Sequence, residues 1–378
     1  MTKTIRPLTE YLAEVADPRH AKGLRHPLLA ILCLCCVALM AGAKNPKAIA
    51  NWWKNRQDQG PFLERLGFTK GYGPSKSTLY RVLALIPLET LVAIVCRWLE
   101  DNFAEGVPAD RDALEGVAID GKTLRGSRKH GADWTHLLSA LSHRLGQMLG
   151  QVAVGDKTNE IGAMPDLLAD LILEGRIFTM DALLTQRSIA QTIVDGGGDY
   201  VMIVKNNQAT VRKDIALLFE GPDAAAFVED QVTTTEKAHG RLETRTLSTS
   251  SALNEYLDWP GLQQVFRVDR HTVILKTGEV RAKTVYGITS LPGQRADAAQ
   301  LLTLNRGHWT IENRSHWVRD VTFGEDRSQV RNGTLPEVMA TLRSGVISLL
   351  RLLHFRYIPD AFDFFAARPA EALAAIGC

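Results

Sequence analysis

A mixed α/β fold is what the sequence predicts: a sheet flanked by helices, interrupted by a β-rich insertion and preceded by a helical unit. Three observations predict it. Apolar positions recur at helical spacing through the first hundred residues, short β-type runs alternate with helices from Gly116 onward, and a strand-rich tract at about 222–296 precedes a return to helical patterning at Ala298. The chain therefore divides, as an expectation, into a helical unit over 1–105, an α/β domain over 112–334 and a helical segment over 335–378.

In the first unit the helical runs are Leu28–Met40, Ile49–Trp53 and Leu79–Trp98, separated by turn-rich text such as Lys70-Gly-Tyr-Gly-Pro-Ser. Ser77 and Thr78 are the expected caps of the last of these. Up to Arg81 there are thirteen Lys and Arg against five Asp and Glu, although the whole chain of 378 residues carries a net charge of only +2. A local basic excess of this kind favours a polyanionic partner, or else is a solvated surface with no partner. Of the five cysteines, Cys33, Cys35 and Cys36 lie in an apolar run and none forms a CxxC pair, so neither a disulfide framework nor a zinc ribbon is indicated and a reducing cytoplasm fits. The run from Leu28 to Ala43 falls short of the ~20 residues of a membrane span, and it reads as a buried helix.

From Gly116 the order is legible strand by strand. Val117-Ala-Ile is a short buried strand ending in Asp120; His136–His143 and Met148–Val154 form a hairpin about Arg-Leu-Gly-Gln; a helix follows through Met164–Leu173; Arg176–Met180 is a strand ending in Asp181. The helix Arg187–Val194, a Gly-Gly-Gly stop and the strand Tyr200–Val204 complete the series. Strand, hairpin, helix, strand, helix, strand is the order of a ribonuclease-H-like sheet. In that topology the first and fourth strands are parallel neighbours, so Asp120 and Asp181 are expected side by side at their carboxyl ends, where open α/β sheets bind ligands. Arg241–Leu247, Val265–Ile274 and Val280–Ile288 supply the inserted strands.

Gly116-Val-Ala-Ile-Asp-Gly-Lys-Thr123 fits the P-loop expression, but the apolar Val-Ala-Ile is itself a strand and Leu124-Arg-Gly-Ser-Arg-Lys-His-Gly is poor helix, which argues against phosphate wrapping by that loop. Asp120 is followed instead by the cations Lys122, Arg125, Arg128 and Lys129, a combination suited to metal plus phosphate. An acid after an apolar strand, as at Asp181, is costly to bury unless paired or metal-bound. Lys205 ends the next strand over and can reach the same edge. In His308-Trp-Thr-Ile-Glu-Asn-Arg-Ser-His-Trp-Val-Arg the spacing puts His308, Glu312, His316 and Arg319 on one helical stripe, with Trp309 and Trp317 as packing residues. A His-Glu-His zinc site is a rival reading of that stripe, though HExxH spacing is absent. Glu325-Asp326 is a further acidic pair, read as structural or capping. Three carboxylates from separate elements can hold two Mg²⁺ or Mn²⁺ ions, hard cations that favour oxygen ligands, for in-line displacement at phosphorus.

These residues carry a resemblance. Asp17-Pro-Arg, Arg25-His26, Ala41-Gly-Ala, Ala118-Ile-Asp-Gly-Lys-Thr-Leu-Arg-Gly-Ser, Lys157-Thr-Asn-Glu-Ile, Met180-Asp-Ala-Leu-Leu-Thr-Gln, Gly198-Asp-Tyr-Val, Val204-Lys-Asn-Asn-Gln, His239-Gly-Arg with Glu243 and Arg245, His308-Trp-Thr-Ile-Glu-Asn, His316-Trp and Phe323-Gly-Glu-Asp follow one another in the chain. Together they resemble the H-repeat-associated family of bacterial insertion-sequence transposases, within the Asp-Asp-Glu class. The resemblance implies Asp120, Asp181 and Glu312 as the catalytic triad, a β insertion ahead of the Glu helix, and an accessory front unit that touches transposon ends. It implies DNA as partner (terminal inverted repeats and target), a homodimer on DNA, no membrane, and a bacterial cytoplasmic, nucleoid-associated location. The wider class has a Tyr, Arg, Glu, Lys signature around its last acid, and here Asn305, His308 and Arg319 stand in the Tyr, Arg and Lys places. The competing expectation is a domesticated or inactive DNA-binding protein on the same fold.

Overall fold

In the computed structural model the described residues are 5–20, 24–56, 58–103, 114–128, 134–155 and 158–378. Their centre is one nine-stranded mixed sheet: β1 (Glu115–Leu124), β2 (Thr135–Ser142), β3 (Met148–Val154), β4 (Arg176–Met180), β5 (Asp199–Val204), β6 (Asp230–Ala238), β7 (Arg241–Ser250), β8 (Gln264–Ile274) and β9 (Val280–Thr289). The spatial order is β3-β2-β1-β4-β5-β9-β8-β7-β6. β4 runs parallel to β1 and to β5, and every other pairing is antiparallel. The insertion is thus no separate body. β9 pairs with β5 through Val201↔Thr289 to Val204↔Tyr286, so the inserted strands prolong the sheet from the edge that β5 would otherwise expose.

Period-2 alternation distributes the strands between two layers. Val117, Ile119, Phe178, Met180, Tyr200, Met202 and Val204 point to one face, where they pack against Met164 and Leu167 of helix Glu160–Ala169, Ile189 and Ile193 of helix Arg187–Asp195, and Ile215 and Phe219 of helix Ala209–Glu220. Ile177 and Val201 point to the other, against Leu301, Leu302 and Leu304 of helix Ala298–Gly307. The β6 strand was not anticipated. Its sequence, Asp-Gln-Val-Thr-Thr-Thr-Glu-Lys-Ala, lacks apolar alternation because it is an exposed edge strand.

The front helices form a second core. Leu28–Met40 is a helix with every residue buried except Leu29, as its composition demands. The run expected as Leu79–Trp98 is two helices, Lys76–Leu83 and Leu88–Phe103, because Pro87 cannot continue the first. The cap is Ser75 rather than Ser77 or Thr78: its hydroxyl accepts from the Thr78 amide at 3.2 Å. Helices Leu335–Leu352, Ile358–Ala367 and Pro369–Ile376, distant in sequence, share this same core. Among the described residues no single helix is long and apolar enough to cross a membrane.

Candidate active site

Asp120 and Asp181 owe their placement to register. The parallel ladder between β1 and β4 ends at Ile119↔Met180, so the two aspartates are the next residue on each of two adjacent strands. The first strand does not stop there as the sequence suggested. β1 continues to Leu124, paired with β2 out to Leu124↔Thr135, because its second neighbour is longer than its first. The Asp181 carboxylate accepts from the Leu183 amide at 2.9 Å, and the Thr185 hydroxyl clips the turn by donating to the Ile203 carbonyl at 2.6 Å.

Glu312 arrives from the other layer. The helix Ala298–Gly307 continues through His308 and widens into π turns over Glu312–His316 and Val318–Thr322. Ile311 seats on Ala118 and Leu141, which fixes the helix against the strands. Beside it His143 lies between Gly116 and Gly307, and a Cβ on either glycine would fall inside the imidazole's van der Waals envelope. His143 Nε2 and the Thr179 hydroxyl are 2.9 Å apart, and His308 Nδ1 sits 3.1 Å from the Thr179 carbonyl. Burial, with His308 alongside, holds His143 down to about 3, so the packed imidazole is neutral at physiological pH. Gly307→Ala is accordingly expected to cost about 1–3 kcal/mol by overpacking, read as a lower Tm, and to displace Glu312.

The result is a cavity of about 870 Å³ whose lining includes Asp120, Asp181, Glu312, Lys205, Asn305 and His308. Its opposite wall comes from the insertion: Glu236, His239, Arg241, Glu243, Arg245, Arg270 and Lys283. Burial pushes the Asp120 carboxyl up to about 7, and the negative charges of Glu160, Asp181 and Glu312 push the same way against a hydrogen bond from the Gly121 amide. Glu160 was legible only as part of the Lys157-Thr-Asn-Glu-Ile motif, since an acid in the first turn after a capping Asn159 is ordinary. Its Oε1 lies 2.7 Å from His136 Nε2, whose Nδ1 is 2.8 Å from the Thr123 hydroxyl. Arg241 and Arg245 were likewise legible only as part of a motif, and Arg270 and Lys283 were unmarked, because strand residues so far along the chain from Asp120 give no local sign of facing it.

The remaining expected residues divide. His316 is buried, with Nδ1 3.6 Å from Asp120 Oδ2; burial, then the Arg319 and Lys122 charges, hold it down to about 3, and it stays neutral. Lys122 is 7% exposed and bound to Asp320 at 2.6 Å, behind the cavity rather than in it. Arg319 is 1% exposed and donates to Glu325 at 2.8 Å, so it offers no surface to a phosphate in this conformation. The single stripe expected for His308, Glu312, His316 and Arg319 is lost because π turns advance by more residues per turn than an α-helix. Trp309 and Trp317, expected to pack, are 57% and 55% exposed; the inner face of this helix is taken by Ile311, Ser315, Val318 and Thr322, and Trp309 lines the cavity. Arg125 and Arg128 are exposed on the loop after β1, Arg125 3.8 Å from Asp326 and Arg128 over the Trp134 ring, and Lys129 lies outside the described residues. Among the described residues no three His, Cys, Asp or Glu side chains converge tightly enough to hold an ion. That applies to the His308, Glu312, His316 set and to the acids alike, which line the cavity without closing on one point.

Known proteins resemble this arrangement's sequence over nearly its whole length. Residues 112–349 match the family described as Transposase DDE domain, and residues 9–99 match the family described as DDE_Tnp_1-associated. The chain is 32% identical over 369 residues to "Putative transposase YncI" of Escherichia coli O157:H7, covering 92% of this chain and 88% of that one. It is 31% identical over 356 residues to "H repeat-associated putative transposase YhhI" of Escherichia coli K12, covering 92% and 90%. The first match contains every strand of the sheet and the helix that bears Glu312, and on that span the chain belongs to the DDE transposase family, where it is similar to H repeat-associated members.

Proposed function

We propose that this protein is the DNA transposase of an insertion sequence, which binds the element's ends, hydrolyses a phosphodiester and joins the freed 3′-hydroxyl to target DNA. The observation that carries this reading is that Asp120, Asp181 and Glu312, from two strands and a helix spread over the chain, line one cavity. The five strands β3-β2-β1-β4-β5 are read as a ribonuclease-H-like half, residues 112–334 as the catalytic domain, and residues 1–105 as the accessory unit that touches element ends.

The donor set suits a hard divalent cation. Burial, with the negative charges of Glu160, Asp181 and Glu312 alongside, drives the Asp120 carboxyl up to about 7, and a cation would relieve that pressure. Asp120, Asp181 and Glu312 would hold Mg²⁺ or Mn²⁺, drawing together around it. When bound, a pair of such ions supplies charge that offsets the phosphate and lowers the pKa of water. The chain's own parts do the rest: Leu183 and Thr185 fix Asp181, the Gly307–His143–Gly116 stack fixes Glu312, and Lys205 with Arg241 and Arg245 of the insertion neutralises DNA phosphates. Lys122, His316 and Arg319 act from behind, by fixing Asp120 and the π-helical segment. A dimer on DNA completes the proposal.

Metal binding has a pH signature. The folded Asp120 carboxyl titrates near 7, above its ordinary 3.8, so between these values the folded chain holds a proton that the unfolded chain has released. This group's contribution to stability therefore falls as pH rises through that window. Protons and cations compete for it, so Mg²⁺ should raise the Tm more at pH 8 than at pH 6. Asp120→Asn should erase that difference; a Tm indifferent to Mg²⁺ at both pH values would remove the metal from the proposal. The activity test is incubation with supercoiled plasmid carrying the DNA that flanks the coding region, with Mg²⁺ or with chelator. Mg²⁺-dependent nicking at the flanks supports the enzyme, while retention of that DNA without nicking supports the alternative, a domesticated binder.

A further inference from the structure

Strand register in the insertion lines up three cations. Arg245 on β7 is directly opposite Arg270 on β8, and Arg270 is directly opposite Lys283 on β9. All three line the cavity that holds the acids. Like charges directly opposite one another destabilise a sheet, and here the counter-charges are incomplete. Arg245 is paired with Glu243 and Glu236, whereas among the described residues Arg270 and Lys283 have no carboxylate partner.

The row leads somewhere. A second hollow, of about 520 Å³, shares Asp181, Lys205, Val285 and Lys283 with the first and continues past them to Arg212 and Tyr286. Lys205 and Arg212 also lack a carboxylate partner among the described residues; Arg212 lies over the Tyr286 ring at 5.8 Å. The floor is rigid: Asn207 donates to the Ala182 carbonyl and Gln208 donates to the Thr185 carbonyl at 3.1 Å, tying the loop that bears Lys205 to the loop that follows Asp181. A cationic trough with apolar and aromatic walls, Leu183, Val285 and Tyr286, is the chemistry that tracks a single nucleic-acid strand.

We propose that Arg270, Lys283, Lys205 and Arg212 form a track for one unpaired DNA strand, which leads from the phosphodiester at the acids along the seam between β5 and β9. This rests on the transposase reading and adds to it the path and the strandedness of the DNA beside the site. The repulsion within the row is relieved when the strand's phosphates arrive.

The test compares a short DNA duplex bearing an oligo(dT) flank with the same duplex blunt-ended, by fluorescence anisotropy across a salt series. Arg270→Gln with Lys283→Gln, and separately Arg212→Gln, should weaken binding of the flanked duplex about tenfold and flatten its salt dependence by roughly one phosphate contact per charge removed. Binding of the blunt duplex should be unchanged, and Arg270→Gln/Lys283→Gln should keep or raise the Tm, because it removes a repulsion. Lys213→Gln with Lys276→Gln, exposed lysines outside the trough, controls for charge alone. Equal losses on both DNAs, losses matched by the control, or none at all would overturn the track. If the wild type nicks DNA but the track variants bind normally, only the track fails; if flank-specific loss occurs in a protein that never nicks, the track stands and the transposase reading fails.

Discussion

Asp120→Asn, Asp181→Asn and Glu312→Gln are each expected to lower Mg²⁺-dependent cleavage of element-flanking DNA by roughly 10²–10³-fold or more, while leaving DNA retention largely intact. Each change removes one negative charge and keeps the side chain's shape. Catalysis of phosphoryl transfer rests on charge placed where the transition state needs it, and removing one such group from a preorganised site costs roughly 10²–10³ in rate. Where groups act as a unit, single losses approach the loss of the whole set, so the double variants should be scarcely worse than the singles. The three differ in one respect. The Asp120 carboxyl is held high by burial and by the charges of Glu160, Asp181 and Glu312, so Asp120→Asn also relieves a strain and should raise the metal-free Tm at pH 8. Retention of wild-type cleavage in any one of the three would take that residue out of the site.

Glu325→Gln is expected to be the most destabilising single change outside the two cores. Its carboxylate, 3% exposed, bonds Arg319 Nε at 2.8 Å and Arg343 Nη1 at 2.7 Å, and Arg343 reaches on to the Lys44 carbonyl at 2.8 Å. One acid thereby ties the π-helical segment, the helix Leu335–Leu352 and the front helical unit. Removing it leaves two buried guanidiniums without a counter-charge, a loss of about 3–5 kcal/mol, measured by urea or thermal unfolding. Glu325→Leu together with Arg319→Met and Arg343→Met should be less destabilised than Glu325→Gln, because no charge is stranded. Burial alone would raise the Glu325 carboxyl, but Arg319 and Arg343 hold it down to about 2, below its ordinary 4.5. Its contribution is therefore fully present above pH 4.5 and is lost as pH falls toward 2; Glu325→Gln should lack that part of the acid dependence.

How much of this was legible follows from the range of the interactions. The strands Arg176–Met180 and Met148–Val154 and the helix Leu28–Met40 fall where the sequence puts them, because local patterning and burial agree there. β6 was missed for the opposite reason: an exposed edge strand carries no hydrophobic period. Arg319 and Glu312 illustrate the limit within one helix. Their spacing suggests a shared face, yet two π turns rotate the guanidinium into the interior toward Glu325 and leave the carboxylate on the cavity.

By itself the sequence determined the α/β order, the two aspartates at neighbouring strand positions and the family, since all three are written in residue types at fixed separations along the chain. Only the tertiary structure decided that the insertion prolongs the sheet, that Glu160 crowds Asp120, that Lys122 and Arg319 are tied up by Asp320 and Glu325, and that Arg245, Arg270 and Lys283 stand abreast. Each of these depends on which distant groups meet across strands and layers, and register, helix phase and the competition among charges for partners are settled by packing of the whole chain.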